Sequence, residues 1–236
     1  MAFLLPWLFS EGYRDTETVP PATEDGHDQQ PPPPPTSAEP KDQKPVQPPP
    51  AVPASGPGTF TTAPAGEAGL ATGTTYRIEI EDGAALEPTG VARQIAAILD
   101  DRRGWRTVGA TFRQVTTPDA ELVFRIATPA TTDRLCDVRQ PGHIGEVNCR
   151  TGPTVVINLK RWQLGSDRFS GPATEYRALI VNHEIGHWLG RGHLTCPGPG
   201  RPAPAMMQQI DGLKGCVSNA WPYDDSGGYL DGPAVP

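Results

Sequence analysis

The stretch ATEYRALIVNHEIGHWLGRGH, residues 173–193, decides the fold, because it joins one long helical pattern to three of the chain's five histidines. Gly171-Pro172 opens the pattern, which runs to about Leu189. Tyr176, Leu179, Ile180, His183 and His187 fall on one stripe, and Ala178, Val181, Ile185, Trp188 and Leu189 make another. A helix apolar on more than one side is buried. This one is therefore expected to run through the middle of a fold with mass on both sides.

Positions i and i+4 of a helix lie on one face, one turn apart. His183 and His187 thus present two imidazoles side by side, the spacing that lets both reach one metal ion. Glu184 sits beside the first, on the edge of the same face, where it can touch a metal-bound water without being a ligand. Gly190 falls where the helix needs a residue tolerant of positive φ, and the sharp turn it allows brings His193 back toward the same ion. The expected centre has three neutral nitrogen donors and an open fourth position. The whole pattern, His-Glu-x-x-His-x-x-Gly-x-x-His, is far more specific than its first five positions alone.

Upstream of the helix the chain alternates strand and helix patterns. Residues 75–81 place Tyr76, Ile78 and Ile80 on one face and Arg77, Glu79 and Glu81 on the other, as a half-buried strand does. Residues 91–101 carry Val91, Ile95, Ile98 and Leu99 at helical spacing, with Gly104 as a stop. Two further strands, 110–115 and 121–127, flank a turn at Pro118-Asp119. After a polar loop, the apolar run 154–159 suits a buried strand. Beyond Leu189 the chain is rich in Pro and Gly, with little periodicity, and its last residues are expected to be disordered.

All four cysteines lie in this part. An even number implies two disulfides and an oxidising compartment. Three connectivities are open, and Cys136 with Cys149 and Cys196 with Cys216 is favoured because each pair closes a short polar loop.

The first third is different. Sixteen of the 29 prolines lie between Pro6 and Pro64, and from Ser10 to Pro64 there is no Leu, Ile, Met, Trp or Cys. Such a stretch cannot bury enough apolar surface to offset the entropy of ordering it. Residues 10–72 therefore read as a disordered spacer, extended at most ~3.1 Å per residue where proline dominates. Residues 1–9 are apolar but brief: residues 2–9 would rise only about 12 Å as a helix, against ~30 Å of hydrocarbon, and ahead of a part with an extracellular look they read as a truncated membrane anchor. Net charge is −7, and nearly all of it falls in the first 75 residues. The part after Thr75 is close to neutral, which argues against nucleic acid as a partner.

The histidine pattern resembles that of the metzincin zinc endopeptidases, which also carry a methionine turn beneath the metal. AMMQQ, residues 205–209, supplies that turn, with Met206 preferred to Met207. More narrowly, YRIEIEDG (76–83), VVINLKRW (155–162), NHEIGHWLGRGHLTCPGPG (182–200) and PAMMQQ (204–209) look like an uncharacterised family of extracytoplasmic actinobacterial domains. The resemblance implies an α+β domain over residues 73–236. It would have a small mixed sheet, two main helices and an irregular Met-turn lower subdomain. Substrate would pair with an edge strand near residues 154–159. The likeness also implies Zn2+ on His183, His187 and His193, and peptide-bond hydrolysis with Glu184 as general base and acid.

There are departures. The interval from His193 to Met206 is short, and Gln208 stands where some metzincins place a tyrosine, leaving Tyr223 and Tyr229 as substitutes. Cys196 is expected in a disulfide, since a thiolate would fill the open position. The chain is thus expected to be a monomer acting on a protein or peptide substrate, secreted or anchored at the cell surface. The alternative is a zinc-stabilised binding or adhesion module displayed on the proline stalk, without catalysis.

Overall fold

The computed structural model describes residues 51–66 and 72–235. The expected anchor, 1–9, and residues 10–50 of the expected spacer lie outside the described residues. In chain order the elements are β1 (Phe60–Thr62), β2 (Thr74–Glu81), α1 (Pro88–Asp100), β3 (Phe112–Gln114), β4 (Leu122–Ala127), α2 (Pro129–Leu135), β5 (Cys149–Thr151), β6 (Thr154–Asn158), α3 (Leu159–Leu164) and α4 (Ala173–Trp188). The domain is α+β, with a mixed six-stranded sheet and four α-helices. Among the described residues no helix is long and apolar enough to cross a membrane.

The sheet order is β1-β2-β4-β6-β5. Strands β2, β4 and β6 are parallel, while β1 and β5 pair antiparallel at the two edges. Parallel neighbours require crossovers, and α1 and α2 lie in the two connections. Tyr76 has partners in both β3 and β4, and Ile80 has partners in both β1 and β4, so β1 and β3 share one side of β2 end to end. The turn at Pro118-Asp119 therefore carries the chain across β2 instead of joining two neighbours. On one face Tyr76, Ile78 and Ile80 align with Leu122, Phe124 and Ile126, and these with Val155 and Ile157. That layer packs with Val91, Ile95 and Ile98 of α1 and Leu179, Ile180 and Ile185 of α4 in one core. The helix α1 starts one turn earlier than its apolar spacing suggests, because Pro88 occupies its first turn and the Glu87 carboxylate caps Thr89 N and Gly90 N.

The structure corrects the sequence reading in several places. Residues 51–66 are not free spacer but part of the fold. Ala63 N donates to Ile78 O at 2.8 Å, Asp82 N to Thr59 O at 3.0 Å and Ala130 N to Ala54 O at 3.0 Å. The anchor is the Glu81 carboxylate, only 1% exposed, which accepts from Gly58 N (2.8 Å), Thr128 N (2.7 Å) and Thr131 Oγ1 (2.7 Å). Composition is blind to this segment, because backbone bonds and a buried carboxylate do most of the holding and only small apolar residues, Ala63 and Val52, join the core. Glu79, on the same face of β2 as Glu81, is buried too, bridged to Arg77 and Arg125 at 2.7 and 2.5 Å, with the Arg125 guanidinium over the Phe60 ring.

Residues 154–159 do not form an edge. The strand β6 is flanked by β4 and β5, and β5 is the edge strand. The helices α2 and α3 were not expected: α2 lacks an apolar stripe, and α3 begins at Leu159, which had been read as the end of a strand. The last residues are ordered to Val235, because they pair with the segment after His193.

Candidate metal centre

Helix α4 runs between the sheet and the irregular lower part, and its buried residues include Tyr176, Leu179, Ile180, Val181, Glu184 and Ile185. Its end is built by the glycine that the sequence singled out. Gly190 has φ +80°, Gly190 N donates to His187 O at 3.0 Å and Arg191 N to Gly186 O at 2.8 Å. That pair of bonds is the Schellman arrangement, and it reverses the chain within a few residues.

The reversal brings the three histidines together. His187 Nε2 lies 3.1 Å from His183 Nε2 and 3.1 Å from His193 Nε2, and all three nitrogens lie within 4.8 Å of one another. A tetrahedral zinc with Zn–N bonds near 2.0–2.1 Å would hold its nitrogen ligands ~3.3 Å apart. The far side of two rings sets their chemistry. His183 Nδ1 meets Ala205 O at 2.8 Å and His187 Nδ1 meets Arg191 O at 2.9 Å. A carbonyl only accepts, so each Nδ1 carries the proton and each Nε2 turns a lone pair inward. Burial, with the His187 imidazole, pushes the His183 pKa down to about 3, and burial also lowers that of His193. Imidazole nitrogens crowded at this distance suit a shared cation, and these three side chains could hold a metal ion.

Two histidines come from one helix, but the third depends on distant backbone. Leu194 N donates to Met206 O at 3.1 Å, Thr195 N to Pro233 O at 2.8 Å and Val235 N to His193 O at 3.0 Å. Leu194 bridges Met207 on one side and Ala234 on the other. Met206, 1% exposed, packs under α4 at Gly186, where an added Cβ would come within 2.9 Å of Trp105 and 3.0 Å of Met206 Cε, and closer still to its sulfur. Met207 belongs to a separate cluster with Ala203 and Cys216. Sequence reasoning passed over Gly186, although a glycine inside a helix costs stability relative to alanine and so needs a reason. Trp105 was passed over too; its Nε1 donates to Asn182 O at 2.8 Å.

Glu184 is 5% exposed. Burial pushes its pKa up to about 8, opposed by the charge of Arg150 on β5. Beside it lies a cavity of about 350 Å³ with His183 and Glu184 on its border. Tyr176, Leu179 and Ile180 of α4 form its floor; residues 136–149 make one wall and residues 207–210 the other. Exposed Gln208 lines this cavity, whereas Tyr223 and Tyr229 do not. Those tyrosines pack on each other (5.3 Å between ring centres) and on Trp105. The two disulfides are Cys136–Cys149, which supports the cavity wall, and Cys196–Cys216, which removes Cys196 from the ligand set. Two disulfides fit an oxidising, extracytoplasmic environment.

No curated protein and no solved structure matches the chain. A family model described as protein of unknown function (DUF3152) matches residues 46–215. That span takes in β1 through α4, all three histidines and Met206. Since it covers well over half of the 236 residues, the chain belongs to the DUF3152 family.

Proposed function

We propose that the domain is a metzincin-like zinc endopeptidase. One observation carries the reading: three Nε2 atoms converge at the end of the helix that also carries buried Glu184, next in sequence to His183, and His183 and Glu184 both border an open cavity. A structural zinc site normally takes four protein ligands and has no use for such a neighbour. Zinc held by His183, His187 and His193 would supply a Lewis acid that polarises a carbonyl and makes water reactive near neutral pH.

The protein's own residues do the rest. Glu184, buried, keeps a high proton affinity, takes the proton of the attacking water and returns it to the departing amine. The carbonyls of Ala205 and Arg191 orient the two helical imidazoles. The outer side of β5 has no strand partner among the described residues, so an extended peptide can pair there and place one side chain over the floor of α4. The disulfides and the proline-rich residues 31–57 support an extracytoplasmic protein, secreted or anchored, that displays this domain away from a surface.

The test is elemental analysis of the purified protein together with cleavage of a mixed peptide library. The expected result is about one zinc per chain and hydroxamate-sensitive cleavage. Zinc-loaded protein that leaves every peptide intact would falsify the reading.

A further inference from the structure

The cavity beside Glu184 has two walls, each anchored separately. In the first, Gly145 N donates to the Asp133 carboxylate (2.9 Å), Arg161 Nε to Glu146 O (3.0 Å) and Asn158 N to Asn148 Oδ1 (2.9 Å), and Cys136–Cys149 closes the base. In the second, Gln209, 2% exposed, donates to Asn219 O at 2.7 Å and accepts from Asn219 N at 3.3 Å. Among the described residues one hydrogen bond joins the walls: His143 Nε2 meets Asp211 Oδ1 at 3.1 Å. His143 itself lines the cavity, next to the exposed tip at Arg139 and Gln140, and its side chain is 25% exposed.

We propose that the His143–Asp211 pair is a strap across this cavity that sets the size of the apolar side chain accepted beside Glu184. The proposal rests on the peptidase reading for its substrate. The floor of Tyr176, Leu179 and Ile180 belongs to a packed helix and cannot yield, so the width of the cavity is decided by how far the walls separate. Without the strap, the tip at 139–142 has no hydrogen bond holding it to the opposite wall, and the cavity opens to larger residues.

The experiment compares wild type, His143→Ala, Asp211→Ala, the double variant and His143→Gln, which keeps a neutral donor for Asp211. Cleavage is followed on peptides that differ only in Leu or Trp at the position filling the cavity. Selectivity for Trp over Leu is expected to rise roughly tenfold in each alanine variant, the scale on which a pocket senses a few methylenes. The double variant should go no further than the singles, because all three break the same bond. The Gln variant should return toward wild type.

Hydrogen exchange of residues 138–144 supplies a readout independent of activity, and it should quicken in both alanine variants. Unchanged exchange overturns the strap, and faster exchange with unchanged selectivity overturns its role in specificity. Zinc-loaded wild type that cleaves no peptide overturns the peptidase reading instead, while the exchange data still decide whether the strap holds the walls.

Discussion

Two of the three clustered histidines and the third are held in different ways. His183 and His187 ride on α4, whose buried stripes lock it between the sheet and the lower part. His193 stands on irregular chain fixed by backbone bonds to Met206 and to residues 233–235, and by a disulfide just beyond it. The helical pair depends on local periodicity and core packing; the third histidine depends on contacts that are far away in sequence. A site built this way is expected to have a rigid half and a half that can be loosened without unfolding the domain.

Removing the Cys196–Cys216 crosslink by Cys→Ser at both positions breaks the comparison hardest. The crosslink closes a separation of 20 residues, so its loss should cost about 3 kcal/mol, read as a shift in the urea midpoint. Loss of near-ultraviolet signal with α4 still protected in hydrogen exchange would show the lower part failing first.

Gly186→Ala attacks the rigid half. A methyl group there collides with Met206 and Trp105, and overpacking of this kind costs about 2 kcal/mol. A variant that melts with wild type would mean that Met206 does not pack under the helix. Deleting residues 231–236 should release His193 O, Thr195 N and one neighbour of Leu194. Metal affinity, measured by competition with a chelator, should fall roughly tenfold, the scale of outer-sphere losses, while helix content is unchanged.

The smallest effect belongs to the segment around β1, at the opposite edge of the sheet from β5. Burial alone would raise the Glu81 pKa, but hydrogen bonds from Thr128, Thr131 and Gly58 outweigh it and hold the value below the ordinary 4.5. The folded state therefore gains stability from the carboxylate above pH 4.5, and loses it as pH falls through the lowered value. Glu81→Gln should cost about 1 kcal/mol at neutral pH and remove that acid dependence. Limited proteolysis within residues 51–66 provides the readout.

Legibility followed the kind of force involved. The α4 pattern, the histidine spacing and the φ of Gly190 could be read because periodicity and one left-handed residue are local signals. The disulfide pairing could be read because short loops close most readily. Residues 51–66 were hidden because a buried carboxylate holds them, and neither Gly56 nor Gly58 announces the approach to Glu81 that each makes. Strand β5 has three residues, too few for an alternating pattern, so the edge was assigned to its longer neighbour β6. The tail contact at Val235 pairs residues more than forty positions apart, with nothing periodic to mark either.

The central claim is a coordination claim, and X-ray absorption at the zinc edge of the loaded protein addresses it directly. The account predicts three imidazole nitrogens at ~2.0–2.1 Å, one further light-atom ligand that a hydroxamate displaces, and no sulfur. A fourth protein ligand that the hydroxamate leaves in place, or zinc bound by fewer than three imidazoles, would contradict it.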